Sequence, residues 1–148
     1  MNSSKLNQAG SELSGQAPDR HMEGVSVSIS AFNEVNSLEA MFHDVVQVVQ
    51  ELGIPYDICI VDDGSSDGTS ELADRLVASE PNATVIHHGV NLGLGQTLRD
   101  CNASGTMPYC IGFAGDGQFP ASIIKQFLPL IKEADVVLGY VPDVGKGR

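Results

Sequence analysis

The chain has 148 residues, 42% hydrophobic and 18% charged, enough for one domain with a buried core. That balance excludes disorder throughout and a disulfide-stapled miniprotein. Eight Lys and Arg stand against nineteen Asp and Glu, a formal net charge of -11, which excludes nucleic-acid binding through phosphates and an anionic membrane surface as an electrostatic partner.

Residues 1–24 are rich in Ser, Asn, Gln and Gly and read as a flexible tail. Val25, Val27 and Ile29 alternate with serines and predict a first strand. Asn36 with Glu39 resembles a capping box, ahead of Leu38, Met41, Phe42, Val45, Val48, Val49 and Leu52 at helical spacing. Gly53 sits where that helix should stop. Tyr56–Val61 is a nearly continuous apolar run, suited to a strand buried on both faces. Thr69–Ala78 predicts a second helix, Ala83–Ile86 a third strand, Gln96–Ala103 a third helix and Tyr109–Phe113 a fourth strand. Pro120 should open a fourth helix that Pro129 kinks or shortens, and Asp135–Tyr140 reads as a fifth strand. Strict alternation with short connections predicts an α/β fold with a doubly wound, mostly parallel sheet. Residues 25–148 are expected to form its single domain.

Cys59, Cys101 and Cys110 are scattered, with neither zinc spacing nor a disulfide framework, and read as mostly buried reduced thiols. No apolar run approaches the roughly 20 residues of a spanning helix, and the N-terminus lacks a signal core. The expected compartment is the cytoplasm, where the sequons at Asn82 and Asn102 stay unmodified.

Open parallel sheets bind ligands at the carboxyl ends of their strands. The segments there are Ser30–Glu34, Asp62–Thr69, His87–Gly95 and Ala114–Pro120, polar or glycine-rich and carrying Glu34, Asp62, Asp63 and Asp116. Two adjacent carboxylates at the end of a buried strand resist desolvation unless they accept hydrogen bonds or face a ligand. Asp62 and Asp67 fit helix or turn caps as well as ligand contacts, Asp63 less so. Asp116, between Gly115 and Gly117 and near Gln118, offers hard oxygen ligands for magnesium, or is a turn residue ahead of a helix. Gly93-Leu94-Gly95 is half of a dinucleotide fingerprint, with Leu98 where the third glycine belongs, and is more simply a tight turn. His87 and His88 point to opposite faces of a strand and read as ordinary strand-end residues.

Taken in order, Ser-Ala-Phe-Asn-Glu, Val-Asp-Asp-Gly-Ser-Ser-Asp-Gly-Thr, Asn-Leu-Gly-Leu-Gly and Gly-Asp-Gly-Gln-Phe-Pro resemble the motifs of glycosyltransferase family 2, nearest its dolichol-phosphate mannose synthase branch. The resemblance implies a glycosyltransferase A-type fold, and transfer of a sugar from a nucleotide-diphospho-sugar to an acceptor, a polyprenyl phosphate in that branch. By position, Phe32, Glu34, Val61 and Asp63 would line the nucleoside pocket, with Asp116 at the donor. Asp116 and Gln118 would hold a divalent cation, magnesium or manganese, on the diphosphate. The acceptor would place the chain peripherally at the cytoplasmic membrane face, in cell-envelope glycan synthesis.

The chain departs from the family pattern at several positions. Ala114 replaces the first carboxylate of the usual Asp-x-Asp, Ser30 a proline and Phe32 a tyrosine. Tyr140 and Val141 occupy a region where the family often carries an arginine. Family members continue beyond the length seen here, so the chain reads as a donor-binding half of an incomplete fold. Two rival readings stand beside this one: a non-catalytic or truncated nucleotide-binding module of the same fold, and a nicotinamide-dinucleotide domain built on the Gly93 turn.

Overall fold

A computed structural model describes residues 23–139 of the chain. Strands β1 (Val25–Ala31), β2 (Tyr56–Asp62), β3 (Ala83–His87) and β4 (Tyr109–Ala114) form one parallel sheet in the order β3-β2-β1-β4. Helices α1 (Leu38–Leu52), α2 (Thr69–Ala78) and α3 (Leu94–Ser104) make the three connections, and α4 (Ile123–Phe127) follows β4 and leads into a 3-10 turn over Leu128–Lys132. The expected doubly wound sheet is present, with helices on both faces.

Alternate residues of the central strands serve opposite faces. Val25, Val27 and Ile29 of β1 and Ile58 and Ile60 of β2 pack against the apolar stripe of α1, with Leu38, Phe42, Val45 and Val49 essentially inaccessible. Each such side chain contributes about 1.5–3 kcal/mol on burial. Leu72, Ala73 and Leu76 of α2 and Ile124 of α4 complete this layer. The other face is smaller: Cys59 and Val61 meet Cys101 of α3, with Ile86 beside them. The serines of β1 belong to this face. Ser26 and Ser28 are buried, and the Ser26 hydroxyl accepts the Met107 N–H at 2.9 Å. Their small size lets the backbone come close: a Cβ on Gly105 would lie 2.9 Å from that of Ser26.

Local chemistry sets most helix ends. Gly53 adopts φ 64° and stops α1 with its N–H on the Gln50 carbonyl. The expected capping box does not form. Ser37 is the N-cap, without a side-chain cap, and its hydroxyl instead donates to the Glu34 carboxylate at 2.6 Å. The fourth helix starts at Ile123 rather than Pro120, and the Pro129 segment tightens into the 3-10 turn as the missing proline N–H requires. Asp135–Gly139 is not a strand and runs past Phe127, with Gly139 close to its ring; Tyr140, and residues 1–22 of the tail expected over 1–24, lie outside the described residues. Cys59 and Cys101 are buried thiols, whereas Cys110 on edge strand β4 is exposed.

Register decides where function can reside. Ala31 stands opposite Asp62, Asp62 opposite His87, and Ser30 opposite Ala114, so all four strands end at one level. The loops that leave them share one rim.

Candidate functional site: a cleft at the carboxyl ends of the strands

The Asp62–Thr69 segment organises the rim by fastening the loops on either side of it. Asp62, 1% exposed, accepts the Ser65 N–H at 3.2 Å and the Ser70 hydroxyl, and meets His87 Nδ1 at 3.0 Å. Asp63 reaches the other way. Its Oδ1 accepts the Leu92 N–H at 2.8 Å and meets His88 Nδ1 at 2.7 Å, while its Oδ2 accepts the Gly93 N–H at 2.9 Å. Burial alone pushes both carboxyls up, but these hydrogen bonds outweigh it and hold both below the ordinary aspartate value.

Gly64 has φ 73°, and a Cβ there would fall 2.5 Å from the Val90 carbonyl carbon, so two loop backbones cross at this glycine. The remainder of the segment grips the loop after β1. The Ser65 hydroxyl accepts the Asn33 N–H at 2.9 Å, and Asn33 Oδ1 accepts the Ser66 N–H at 2.9 Å. Thr69 Oγ1 accepts the Glu34 N–H at 2.8 Å, and Asp67 Oδ2 accepts the Val35 N–H at 3.3 Å. Asp67 also takes the Thr69 hydroxyl and N–H, which holds its carboxyl low. These contacts set Asn33 in the left-handed region at φ 57°.

Between the two fastened loops lies a cleft of about 420 Å³. Phe32 and Glu34 line one side, Asn91, Gly93, Leu94 and Thr97 the other, with Asp63, Ala114 and Gly115 also lining it. Phe32 keeps 46% of its surface exposed, so the cleft carries an accessible aromatic ring. Gly115 is pressed against β1, its N–H on the Ser30 carbonyl at 2.7 Å. A larger hollow of about 560 Å³ runs along β4, but its lining, from Ile111 to Gly139, holds no titratable side chain.

Of the residues singled out from sequence, Phe32, Glu34 and Asp63 share this cleft. Asp116 and Gln118 are not among the lining residues; Asp116 follows the lining residue Gly115 in the chain, and its Oδ1 accepts the Gln118 N–H at 3.0 Å. Val61 does not line the cleft: it is fully enclosed between Cys59, Cys101 and Ile86, on the α3 face of the sheet. Among the described residues no three His, Cys, Asp or Glu side chains cluster as a metal cage. Magnesium does not require such a cage, since it takes one or two carboxylates and completes its shell with phosphate oxygens and water, and Asp116 is the carboxylate this turn offers. Ala114 withholds a second carboxylate.

Sequence reasoning missed the histidines. His87 bridges Asp62 and Asp74 at 3.0 Å each, and His88 bridges Asp63 and Asp100 at 2.7 and 2.9 Å. They do face opposite sides of the sheet, and each meets one of two aspartates that do the same. The signal was a His-His pair after one strand beside an Asp-Asp pair after its neighbour. Hydrogen bonding to Asp62 and to Asp63, respectively, raises both imidazoles above the ordinary histidine value against the opposing effect of burial. The Gly93 turn is a fastening as well. The Leu92 and Gly93 amides are spent on Asp63, which removes the nicotinamide-dinucleotide reading its main support.

Comparison with known proteins places these features in context. The sequence profile described as glycosyl transferase family 2 matches residues 26–148. An undecaprenyl-phosphate 4-deoxy-4-formamido-L-arabinose transferase of Pectobacterium carotovorum is 36% identical over 75 residues, 51% of this chain and 23% of that protein. A dolichol-phosphate mannosyltransferase of Pyrococcus furiosus is 30% identical over 116 residues, 78% of this chain and 32% of that protein. An undecaprenyl-phosphate mannosyltransferase of Micrococcus luteus is 28% identical over 75% of this chain and 45% of that protein. The chain thus spans less than half the length of each of these relatives. In fold it is similar to the mannosyltransferase PcManGT of Pyrobaculum calidifontis, solved with GDP-Man and Mn2+, at TM-score 0.55 and 19% identity over 62% of this chain and 27% of that one. It is similar to S. aureus TarS 1-349 at TM-score 0.55 and 18% identity, over 74% and 32% of the two chains. Among the described residues no helix is long and apolar enough to cross a membrane.

Proposed function

The chain belongs to glycosyl transferase family 2 and has the glycosyltransferase A-type fold, and from that premise we propose that residues 25–148 are the donor-binding part of a glycosyltransferase. The donor is a nucleotide-diphospho-sugar and the acceptor a polyprenyl phosphate, the acceptor class named in the relatives. Residues 1–24 precede this unit as a tail, and the acceptor brings the protein to the cytoplasmic membrane face as a peripheral partner. The observation that carries the reading is the shared cleft: Phe32, Glu34 and Asp63 come from two loops, yet border one hollow, whose lining reaches Ala114 and Gly115 beside Asp116 in the chain.

Each residue has a task that its chemistry suits. The half-exposed Phe32 ring offers a face on which a base stacks. Glu34 accepts from ribose hydroxyls or a base N–H with the capacity that Ser37 leaves free. Asp63 has little acceptor capacity left and acts chiefly by holding the cleft wall. Asp116, with Gln118, would hold magnesium or manganese against the diphosphate. When bound, such an ion neutralises the charge that gathers on the leaving diphosphate. It also reconciles an acidic chain with an anionic donor. A phosphate acceptor is already ionised near neutral pH, so attack on the anomeric carbon needs little general-base help.

Ala114 favours one alternative, a module that binds the nucleotide without transferring the sugar. Calorimetric titration with GDP- and UDP-sugars, with and without manganese, tests the common premise; metal-enhanced binding is expected, and no binding under either condition overturns it. Incubation with labelled donor and a short polyprenyl phosphate separates the two readings. Labelled lipid supports the transferase, and binding without transfer or donor hydrolysis supports the module.

A further inference from the structure

We propose that His88 is a positioning residue of the cleft: its ring, held between the Asp63 and Asp100 carboxylates, fixes the loop that forms one cleft wall. The inference rests on reading the cleft as a nucleotide-sugar site.

The geometry is that of a clamp. Nδ1 of His88 lies 2.7 Å from Asp63 Oδ1 and Nε2 lies 2.9 Å from Asp100 Oδ2. The side chains of His88 and Asp63 are only 7% and 6% exposed, so water cannot readily replace that contact, while Asp100 is 29% exposed and forms the wetter end of the clamp. Asp63 immediately follows β2, and Asp100 sits two turns into α3 with both oxygens also held by the Gln96 side-chain amide. Between these anchors runs the segment Gly89–Gly93. Leu92 donates its N–H to the same Asp63 oxygen that His88 meets, so the ring and the loop backbone share one acceptor. Asn91, Gly93, Leu94 and Thr97, which follow on this segment and the first turns of α3, line the cleft across from Phe32 and Glu34. Displacing the ring therefore displaces a wall.

Protonation sets the strength of the clamp. Only the doubly protonated imidazolium donates from both nitrogens; a neutral ring turns a lone pair toward one of the carboxylates. The ionisable groups that face the ring are Asp63, from the end of β2, and Asp100, from α3. His87 is engaged on the other side by Asp62 and Asp74. Both neighbours of His88 are anionic, and the ring titrates above the usual histidine range, Asp63 being the largest cause. Nucleotide affinity should thus be full while the ring is charged and should fall once it is not.

Nitrogen-resolved NMR of the full chain, alongside calorimetry with GDP and UDP plus magnesium from pH 6 to pH 9.5, tests this. The expected result is an imidazolium at His88 near neutrality and affinity that drops about tenfold as that ring loses its proton. His88→Leu should bind about tenfold more weakly at neutral pH. His88→Asn, whose amide nitrogen stands near the position of Nδ1, should recover most of that affinity and give a flat pH profile over the His88 step. Wild-type affinity that stays constant through the NMR-observed titration overturns the proposal, as does a folded His88→Leu chain that binds normally. Absence of nucleotide binding at every pH, in wild type and variants alike, overturns the nucleotide reading itself.

Discussion

Gly64 and Val90 meet backbone to backbone, with room for no side chain between them: a Cβ on Gly64 would stand 2.5 Å from the Val90 carbonyl carbon and 2.6 Å from the Asn91 nitrogen. Gly64 also has φ 73°, where an L side chain is strained. Gly64→Ala should therefore push the loop after β3 outward. We expect a loss of about 2 kcal/mol in stability, read by urea denaturation, and weaker nucleotide binding by calorimetry. A Gly64→Ala chain with wild-type values in both would show that the two loops do not press on each other in solution.

Phe32 separates binding from folding. It is 46% exposed and lies outside the core, so Phe32→Ala should change stability by no more than about 0.5 kcal/mol. The lost stacking face should weaken nucleotide affinity by about one to two orders of magnitude. Phe32→Tyr keeps the ring and should bind as wild type does. Equal affinity in the Ala and Tyr variants would remove the ring from the site.

The metal contribution should depend on Asp116. Asp116→Ala is expected to abolish the increase in donor affinity that manganese gives, while nucleoside binding in metal-free buffer stays as it is. Ala114 lines the cleft, so Ala114→Asp supplies the carboxylate missing from the donor set and should increase the manganese effect about tenfold. Titrations with and without a chelator measure both.

Stability should peak in mildly acidic solution. His87 and His88 titrate above their unfolded value of about 6.5, so their contribution is complete below that pH and is lost as pH rises through the raised folded values. Asp62 and Asp63 titrate below their unfolded value of about 3.9, so theirs is present above that pH and is lost as pH falls through the lowered folded values. Between about pH 4 and pH 6.5 both contributions are intact. Urea midpoints across pH 3–9 should trace a bell with its maximum in that window, and a midpoint that climbs steadily to pH 9 would rule out the histidine clamps.

Much of the sheet was legible in the sequence because its strands are short apolar runs with glycines and carboxylates at their ends. Thr69–Ala78 forms as read, and β1, β2 and α1 form where the apolar spacing puts them. The cleft residues Phe32, Glu34 and Asp63 were legible because parallel strands in register bring their loops to one rim. Val61 was misplaced because side chains alternate: beside an aspartate that reaches the cleft, it points to the α3 face. The expected strand over Asp135–Tyr140 rested on an apolar run, but its described part, Asp135–Gly139, forms no strand, because an apolar run alone does not commit a segment to a sheet. The role of the histidines was harder to read for a different reason. Their partners lie 12 to 25 positions away and meet them only once β2 and β3 are paired and α2 and α3 are packed on the sheet.

The fastening side chains and the ligand-facing side chains around the cleft are largely different residues. Ser65, Asp67 and Thr69 hold the loop that presents Phe32, and Leu94 borders the hollow without taking part in the Asp63 contacts. Selectivity and architecture are therefore separable here. On the proposed reading, exchanging Phe32 or Leu94 should change which sugar nucleotide the cleft prefers while its scaffold stays assembled.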